Sequence, residues 1–321
     1  MKKNNIDTRS ILMKDIGTAL KGFCMGAADV VPGVSGGTMA FILGIYEKLI
    51  KAIRSFDLIF LKKLLSFRIG EAWDHVSGRF LLALGAGILT AIFSLARALG
   101  WLLQNRPVLI WSFFFGLILA SIFVVGRHLE KWTLPLWIAT LIGAAGAYVL
   151  VGLVPVTTPD TLWFLFMSGA VAICAMILPG ISGSFILVLL GKYRYILDAV
   201  NNRDILILFI VAMGAVFGLI TFVRLLNWLL RKSHDITIAV LTGFMLGSLR
   251  KVWPWKSVIE KLTDARGHTV IISEANILPT NWTSEVTVAL ALMAAGFAVV
   301  FFLNFWADRQ KRTVPELETP A

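Results

Sequence analysis

Pro32-Gly33-Val34-Ser35-Gly36 returns 147 residues later as Pro179-Gly180-Ile181-Ser182-Gly183, and each copy interrupts an otherwise apolar stretch. Proline removes a backbone donor and glycine favours unwinding. Each region, about 16–52 and about 162–200, is therefore expected to form two half-helices joined by an irregular turn. Irregular backbone at membrane depth persists only where protein or a wet cavity surrounds it, so both regions read as re-entrant hairpins. The correspondence extends outward from the two turns. At the same spacing Gly22 meets Gly169, Ala28 meets Ala175, Gly44 meets Gly191 and Tyr46 meets Tyr193. Downstream the spacing falls to 127, pairing Gly87 with Gly214, Arg97 with Arg224, Trp101 with Trp228 and Gly116 with Gly243. The change marks a loop about twenty residues longer after the first hairpin.

The composition agrees with a membrane setting. Of 321 residues, 58% are hydrophobic and 15% charged, and the mean hydropathy is +0.81. That excludes a disordered chain, a secreted disulfide scaffold and an ordinary cytosolic enzyme. Apolar runs of spanning length lie at roughly 80–103, 108–126, 133–153, 205–230, 236–252 and 285–306. Cys24 and Cys174 form no framework, and His75, His128, His234 and His268 are scattered singly. No metal site or cofactor is expected. The net charge of +11 fits lysine and arginine flanking the spans. With no base-stacking motif or Gly-rich nucleotide loop, nucleic acid is not an expected partner.

Both flanks of the first hairpin are basic: Lys2, Lys3, Arg9, Lys14 and Lys21 before it, Lys51, Arg54, Lys62, Lys63, Arg68 and Arg79 after it. A chain that enters from the cytoplasm and returns there has this pattern. Carried through, the topology puts twice as many Lys and Arg inside as outside, with both termini cytoplasmic. Residues 1–21 lack the apolar core of a signal peptide, so the N-terminus is expected to be retained. The expected fold is an all-α polytopic membrane protein. A segment 1–15 precedes a first repeat over 16–153; a second repeat over 154–306 holds an outer loop at 253–284, and a tail covers 307–321. Each repeat has one re-entrant hairpin and three transmembrane helices. Three is odd, so the second repeat lies upside down relative to the first. Inverted-topology repeats place broken helices near the midplane, where rocking of the halves exposes a site to each side in turn.

Half-helix N-termini carry free N–H groups and the positive end of the helix dipole. Ser35, Thr38, Ser182 and Ser184 add hydroxyls, while Gly36, Gly37 and Gly183 let an anion approach the backbone. The same small residues also suit close helix packing. Arg97 and Arg224 lie well inside spans. Such arginines face a cavity, where guanidinium matches phosphate, or snorkel to the nearby interface. The acidic residues at depth are Asp29 and Glu47, replaced in the other half by Met176 and Arg194. An intramembrane carboxylate carries a coupling proton or cation, or pairs locally. Asp29, Glu47 and Arg194 are therefore the candidates for coupling or gating.

The stretch Gly26-Ala27-Ala28-Asp29-Val30-Val31-Pro32-Gly33-Val34-Ser35-Gly36-Gly37-Thr38, followed by Gly44-Ile45-Tyr46-Glu47, resembles the hallmark of the polyprenyl-phosphate transporters. The similarity covers about residues 15–305. The resemblance implies a flippase that returns undecaprenyl phosphate, a bacterial lipid carrier, from the outer to the cytoplasmic leaflet of the inner membrane. A phosphate monoester carries about −1.5 to −2 charges at neutral pH, so its unaided passage through hydrocarbon is slow. On that expectation the lipid phosphate is the partner, held by the hairpin tips with Arg97 and Arg224, with a proton or sodium ion as coupling partner. Membrane-embedded undecaprenyl-pyrophosphate phosphatases are the alternative, since they share inverted repeats and a Pro-Gly-x-Ser loop. In them the loop continues with Arg-Ser and a Glu-x-x-x-Glu element lies nearby. Here Gly36-Gly37 and Gly183-Ser184 follow the serines, and no two of the eight glutamates are four apart. A structural or assembly protein would leave the polar tips without a purpose.

Overall fold

The computed structural model describes residues 8–30, 35–127, 129, 131–263 and 269–313. Helix α1 (Thr8–Asp29) precedes the first break, whose Pro32-Gly33-Val34 lies outside the described residues. Helices α2 (Gly36–Ile42) and α3 (Tyr46–Arg54) follow it. Past the second break the order recurs: α9 (Leu162–Ile177), α10 (Gly183–Leu189), α11 (Tyr193–Asn201). Helices α2 and α10, and likewise α3 and α11, begin and end 147 residues apart. Helix α2 packs against α1 and α10 against α9, while α3 and α11 both reach α12 (Ile205–Lys232).

The long helices correspond in the same way, with α6 (Gly78–Asn105) and α12 (Ile205–Lys232) offset by 127 at both ends. Helix α1 packs on α6, and α9 on α12. A Cβ on Gly87 would lie 1.9 Å from the Ala19 carbonyl oxygen, and one on Gly214 would lie 1.9 Å from that of Phe166. Ala19 and Phe166 are themselves 147 apart. Both pairs therefore meet backbone to backbone, which only glycine permits. The other long helices are α7 (Pro107–Gly126), α8 (Leu134–Leu150), α13 (His234–Ser248) and α14 (Ser284–Thr313), and they pack as α7 on α14 and α8 on α13. Ile118, Val124, Val125, Val223 and Met245 lie in the main core. The extra loop of the first half folds into α4 (Leu58–Leu65) and α5 (Ile69–His75). Asp57 caps α4, accepting from the Ile59 and Phe60 amides at 2.9 Å each.

Among the described residues, four helical stretches are long and apolar enough to cross a membrane: 78–95, 107–126, 205–232 and 284–302. The runs expected at 133–153 and 236–252 give shorter helices of 17 and 15 residues. Hydropathy overran both because apolar chain continues past the helix ends, through Val151, Leu153 and Val154 in one case and Val252 and Trp253 in the other. Helix α1 begins at Thr8, ahead of the expected 16, and α14 continues past 306 to Thr313.

The loop expected at 253–284 holds an antiparallel ribbon, β1 (Lys256–Thr263) and β2 (Thr269–Asn276), paired Lys256 to Asn276 at its base. The all-α expectation did not include it. β-branched residues such as Thr269, Val270, Ile271 and Ile272 favour the extended backbone. The base is tied to the end of α13. Asn276 Nδ2 donates to the Arg250 carbonyl at 2.9 Å, and the Ile277 amide donates to that of Trp255 at 3.0 Å.

Candidate functional site

A buried helix end leaves carbonyls needing donors. The carbonyls at the end of α9 receive theirs from the first break. Ser35 Oγ lies 3.1 Å from the Met176 oxygen and 3.2 Å from that of Leu178. Tyr46 donates its hydroxyl to the Ile177 oxygen at 3.2 Å. In the other direction the Gly180 amide donates to Thr38 Oγ1 at 2.9 Å. Gly180 has φ +89°, and a Cβ there would meet Ser248 Oγ at 2.7 Å. The two breaks therefore meet. Ser35 and Thr38 are occupied in holding them together, and both are buried.

Asp29 adjoins this junction through Gly36. Its Oδ1 accepts from the Gly36 amide at 2.7 Å, closing the start of α2 with Gly36 and Gly37 buried beside it. Thr38→Val keeps the shape and removes the acceptor of the buried Gly180 amide. It is expected to destabilise the protein by about 1–3 kcal/mol, read as a lowered Tm in detergent.

The hydroxyls of the second break are placed differently. Ser182 and Ser184 share one hydrogen bond of 2.8 Å. Ser184 is exposed on a cavity of about 610 Å³ walled by Phe185, Arg250, Lys251, Lys256 and Glu274 among others. Arg250 is fixed by donation to the Tyr148 carbonyl at 3.0 Å and by stacking 4.4 Å above the Tyr148 ring. Lys256 is compensated, with Glu274 at 3.0 Å and the Lys251 carbonyl at 2.8 Å. Lys251 has its ammonium 5.0 Å over the Phe185 ring. Burial, then the neighbouring Lys256, holds the Lys251 ammonium below the usual lysine range, against a smaller opposing pull from Glu274. A half-desolvated ammonium beside a second cation and an exposed hydroxyl favours an anion in the cavity.

Not every expected residue joins this group. Arg97 lies in a separate hollow with Ile92, Phe93 and Ser94. Arg224 lies in a third, with Arg54, Trp228 and Arg231. Glu47 reaches across to α13, 3.1 Å from His234 Nε2, and also meets Lys51 at 3.9 Å. Arg194 is exposed on α11, and Gly183 is buried against the Ala172 carbonyl. Among the described residues no group of three or more His, Cys, Asp or Glu side chains is arranged to hold a metal.

Sequence reasoning missed Arg250 and Lys251, although two adjacent cations inside the expected run 236–252 were a visible signal. It also missed Lys192, a buried lysine bonded to the Thr158 carbonyl at 2.7 Å and to Asp160. That pair ties the segment before α9 onto the start of α11. The position 147 residues earlier is Ile45, so the tie exists in one half alone.

The comparisons with known proteins bear on this geometry. A 303-residue match at 44% identity links the chain to a polyprenyl-phosphate transporter of Vibrio cholerae serotype O1, covering 92% of this chain and 98% of that protein. A polyprenyl-phosphate transporter of Staphylococcus aureus is 31% identical over 253 residues, 73% of this chain and 85% of its own length. No solved structure matches the chain. The family model described as undecaprenyl phosphate translocase-like matches residues 25–270. With its apolar helices, its converging broken segments and these relatives, the chain is a multi-pass membrane protein that belongs to the undecaprenyl phosphate translocase-like family.

Proposed function

We propose that this protein carries polyprenyl phosphate across the membrane, returning undecaprenyl phosphate from the outer to the cytoplasmic leaflet of a bacterial inner membrane. The observation that carries the reading is the cavity beside Ser184, where Arg250 and Lys251 bring positive charge to the tip of a broken helix. The names of the two relatives supply the cargo. In this reading α1–α3 and α9–α11 are re-entrant hairpins and the two halves are inverted repeats. The matching glycine contacts of α1 with α6 and α9 with α12 support that arrangement. Both termini are then cytoplasmic, and the cavity with its β-ribbon opens outward.

The phosphate enters from the outer leaflet and accepts from Ser184 and the cations, while the polyprenyl tail stays in lipid. Rocking of the halves about the junction of Ser35, Thr38 and Gly180 passes the headgroup inward. The junction that supplies the hydroxyls also supplies the hinge, so Ser35, Gly36, Gly37 and Thr38 act on the head group only after the breaks separate. Glu47 with His234 closes the opposite face, and a proton or sodium ion drives its opening through Asp29 or Glu47.

The test uses proteoliposomes loaded with fluorescent polyprenyl phosphate, following leaflet accessibility and released phosphate in one sample, with and without ion gradients. Leaflet exchange without phosphate release is expected. Phosphate release without exchange would make the protein a phosphatase, and neither signal would remove the cargo assignment.

A further inference from the structure

The hollow that holds Arg224 has a chemistry of its own. It measures about 520 Å³ and lies between Arg54 at the end of α3 and Arg224, Trp228, Arg231 and Lys232 on the last turns of α12. Its one lining carboxylate, Asp57, is already engaged, accepting from two amides and pairing with His75 at 3.1 Å. Backbone donation from Phe60, with help from His75, holds the Asp57 carboxyl below its usual range, so it remains an anion. Among the described residues, none of the four cations forms an ion pair.

The negative end of the α12 dipole accounts for Arg231 and Lys232 in the last turn. It does not account for Arg224, two turns further in, or for Arg54, which comes from another helix. Four cations around one hollow repel one another unless an anion joins them. The surroundings indicate where that anion resides. Lys232 sits 4.9 Å over the Trp228 ring, and Trp228 and Leu225 are exposed on an apolar helix that ends here. Tryptophan and basic residues at the end of such a helix mark the level of lipid headgroups. Helix α13 starts immediately after α12 and delivers Arg250 and Lys251 to its far end, so its 15 residues separate the two hollows by roughly 22 Å.

We propose that this hollow is a second seat for the phosphate of a membrane lipid, at the face opposite the cavity beside Ser184. It rests on the transport reading in that the two seats would receive and release the same headgroup. Arg224 and Arg54 come from opposite halves of the chain, so relative movement of the halves would open or close the seat. The phosphate belongs either to the cargo or to bulk anionic lipid, and the two sources compete differently.

The experiment counts bound farnesyl monophosphate on purified protein in phosphatidylcholine nanodiscs, with size-exclusion profiles confirming that each variant folds. Two molecules per chain are expected on the wild type, and one each on Arg224→Gln/Arg231→Gln, on Arg54→Gln and on Lys251→Gln. Combining Lys251→Gln with the α12 pair should leave none. Two molecules retained on both Arg54→Gln and the α12 pair would overturn the second seat, as would a single wild-type molecule that only Lys251→Gln removes. A Lys251→Gln variant that keeps two molecules would instead remove the outer site of the transport reading, leaving the second seat to its own variants. Displacement at the second seat by phosphatidylglycerol identifies bulk lipid as the source; displacement by polyprenyl monophosphate alone identifies the cargo. Inorganic phosphate competing as well as either lipid would overturn a lipid seat.

Discussion

Lys251→Glu is expected to abolish measurable binding of polyprenyl phosphate at the outer cavity, and Lys251→Gln to weaken it by about 10- to 100-fold. A charge-assisted hydrogen bond contributes about 1.5–3 kcal/mol, and each 1.4 kcal/mol is about tenfold in affinity. The glutamate adds repulsion beside Glu274, already bonded to Lys256. Titration of labelled lipid phosphate at fixed ionic strength checks both values. The pH dependence has a defined sign. Burial lowers the affinity of Lys251 for its proton, so the ammonium is lost at lower pH than on an ordinary lysine. Binding should therefore weaken on the alkaline side before normal lysine titration begins. Lys251→Arg, whose guanidinium keeps its charge, should remove that alkaline loss.

Gly87→Leu and Gly214→Leu are expected to destabilise the protein by similar amounts, at least about 3 kcal/mol each. Each side chain would enter space occupied by a facing main-chain carbonyl, 1.9 Å from the Cβ position. Backbone cannot rotate aside as a side chain can, so the helices must part. Gly85→Leu is the control, since nothing lies within 4 Å of a Cβ there. Thermal unfolding in detergent should show two large, matched losses of Tm and a nearly unchanged control. Equal losses at positions 127 apart are what two copies of one helix pair require.

The breaks and their spacing were legible because proline and glycine act locally, wherever the chain places them. That Ser35, Tyr46 and Thr38 would meet the second break was not legible, because a shared offset relates the breaks in sequence and not in space. Nor was what each hydroxyl does there. Ser35 and Ser182 occupy equivalent positions, yet Ser35 serves carbonyls of the other break while Ser182 bonds its neighbour Ser184. That difference arises from packing between halves, which no local pattern records. Arg97 and Arg224 look alike for the same reason and occupy separate hollows. Arg250 and Lys251 fall at the end of the expected run 236–252, where cations are ordinary. Only the fold brings them beside Ser184. The ribbon was missed because its strands are short beside the long apolar runs.

The measurement that tests the central claim most directly is a structure of the protein in lipid nanodiscs with a polyprenyl monophosphate bound. Phosphate density is expected within hydrogen-bonding distance of Ser184 Oγ and Lys251 Nζ, with the tail leaving toward lipid. Phosphate density in the hollow of Arg97, with the cavity beside Ser184 empty, would contradict it.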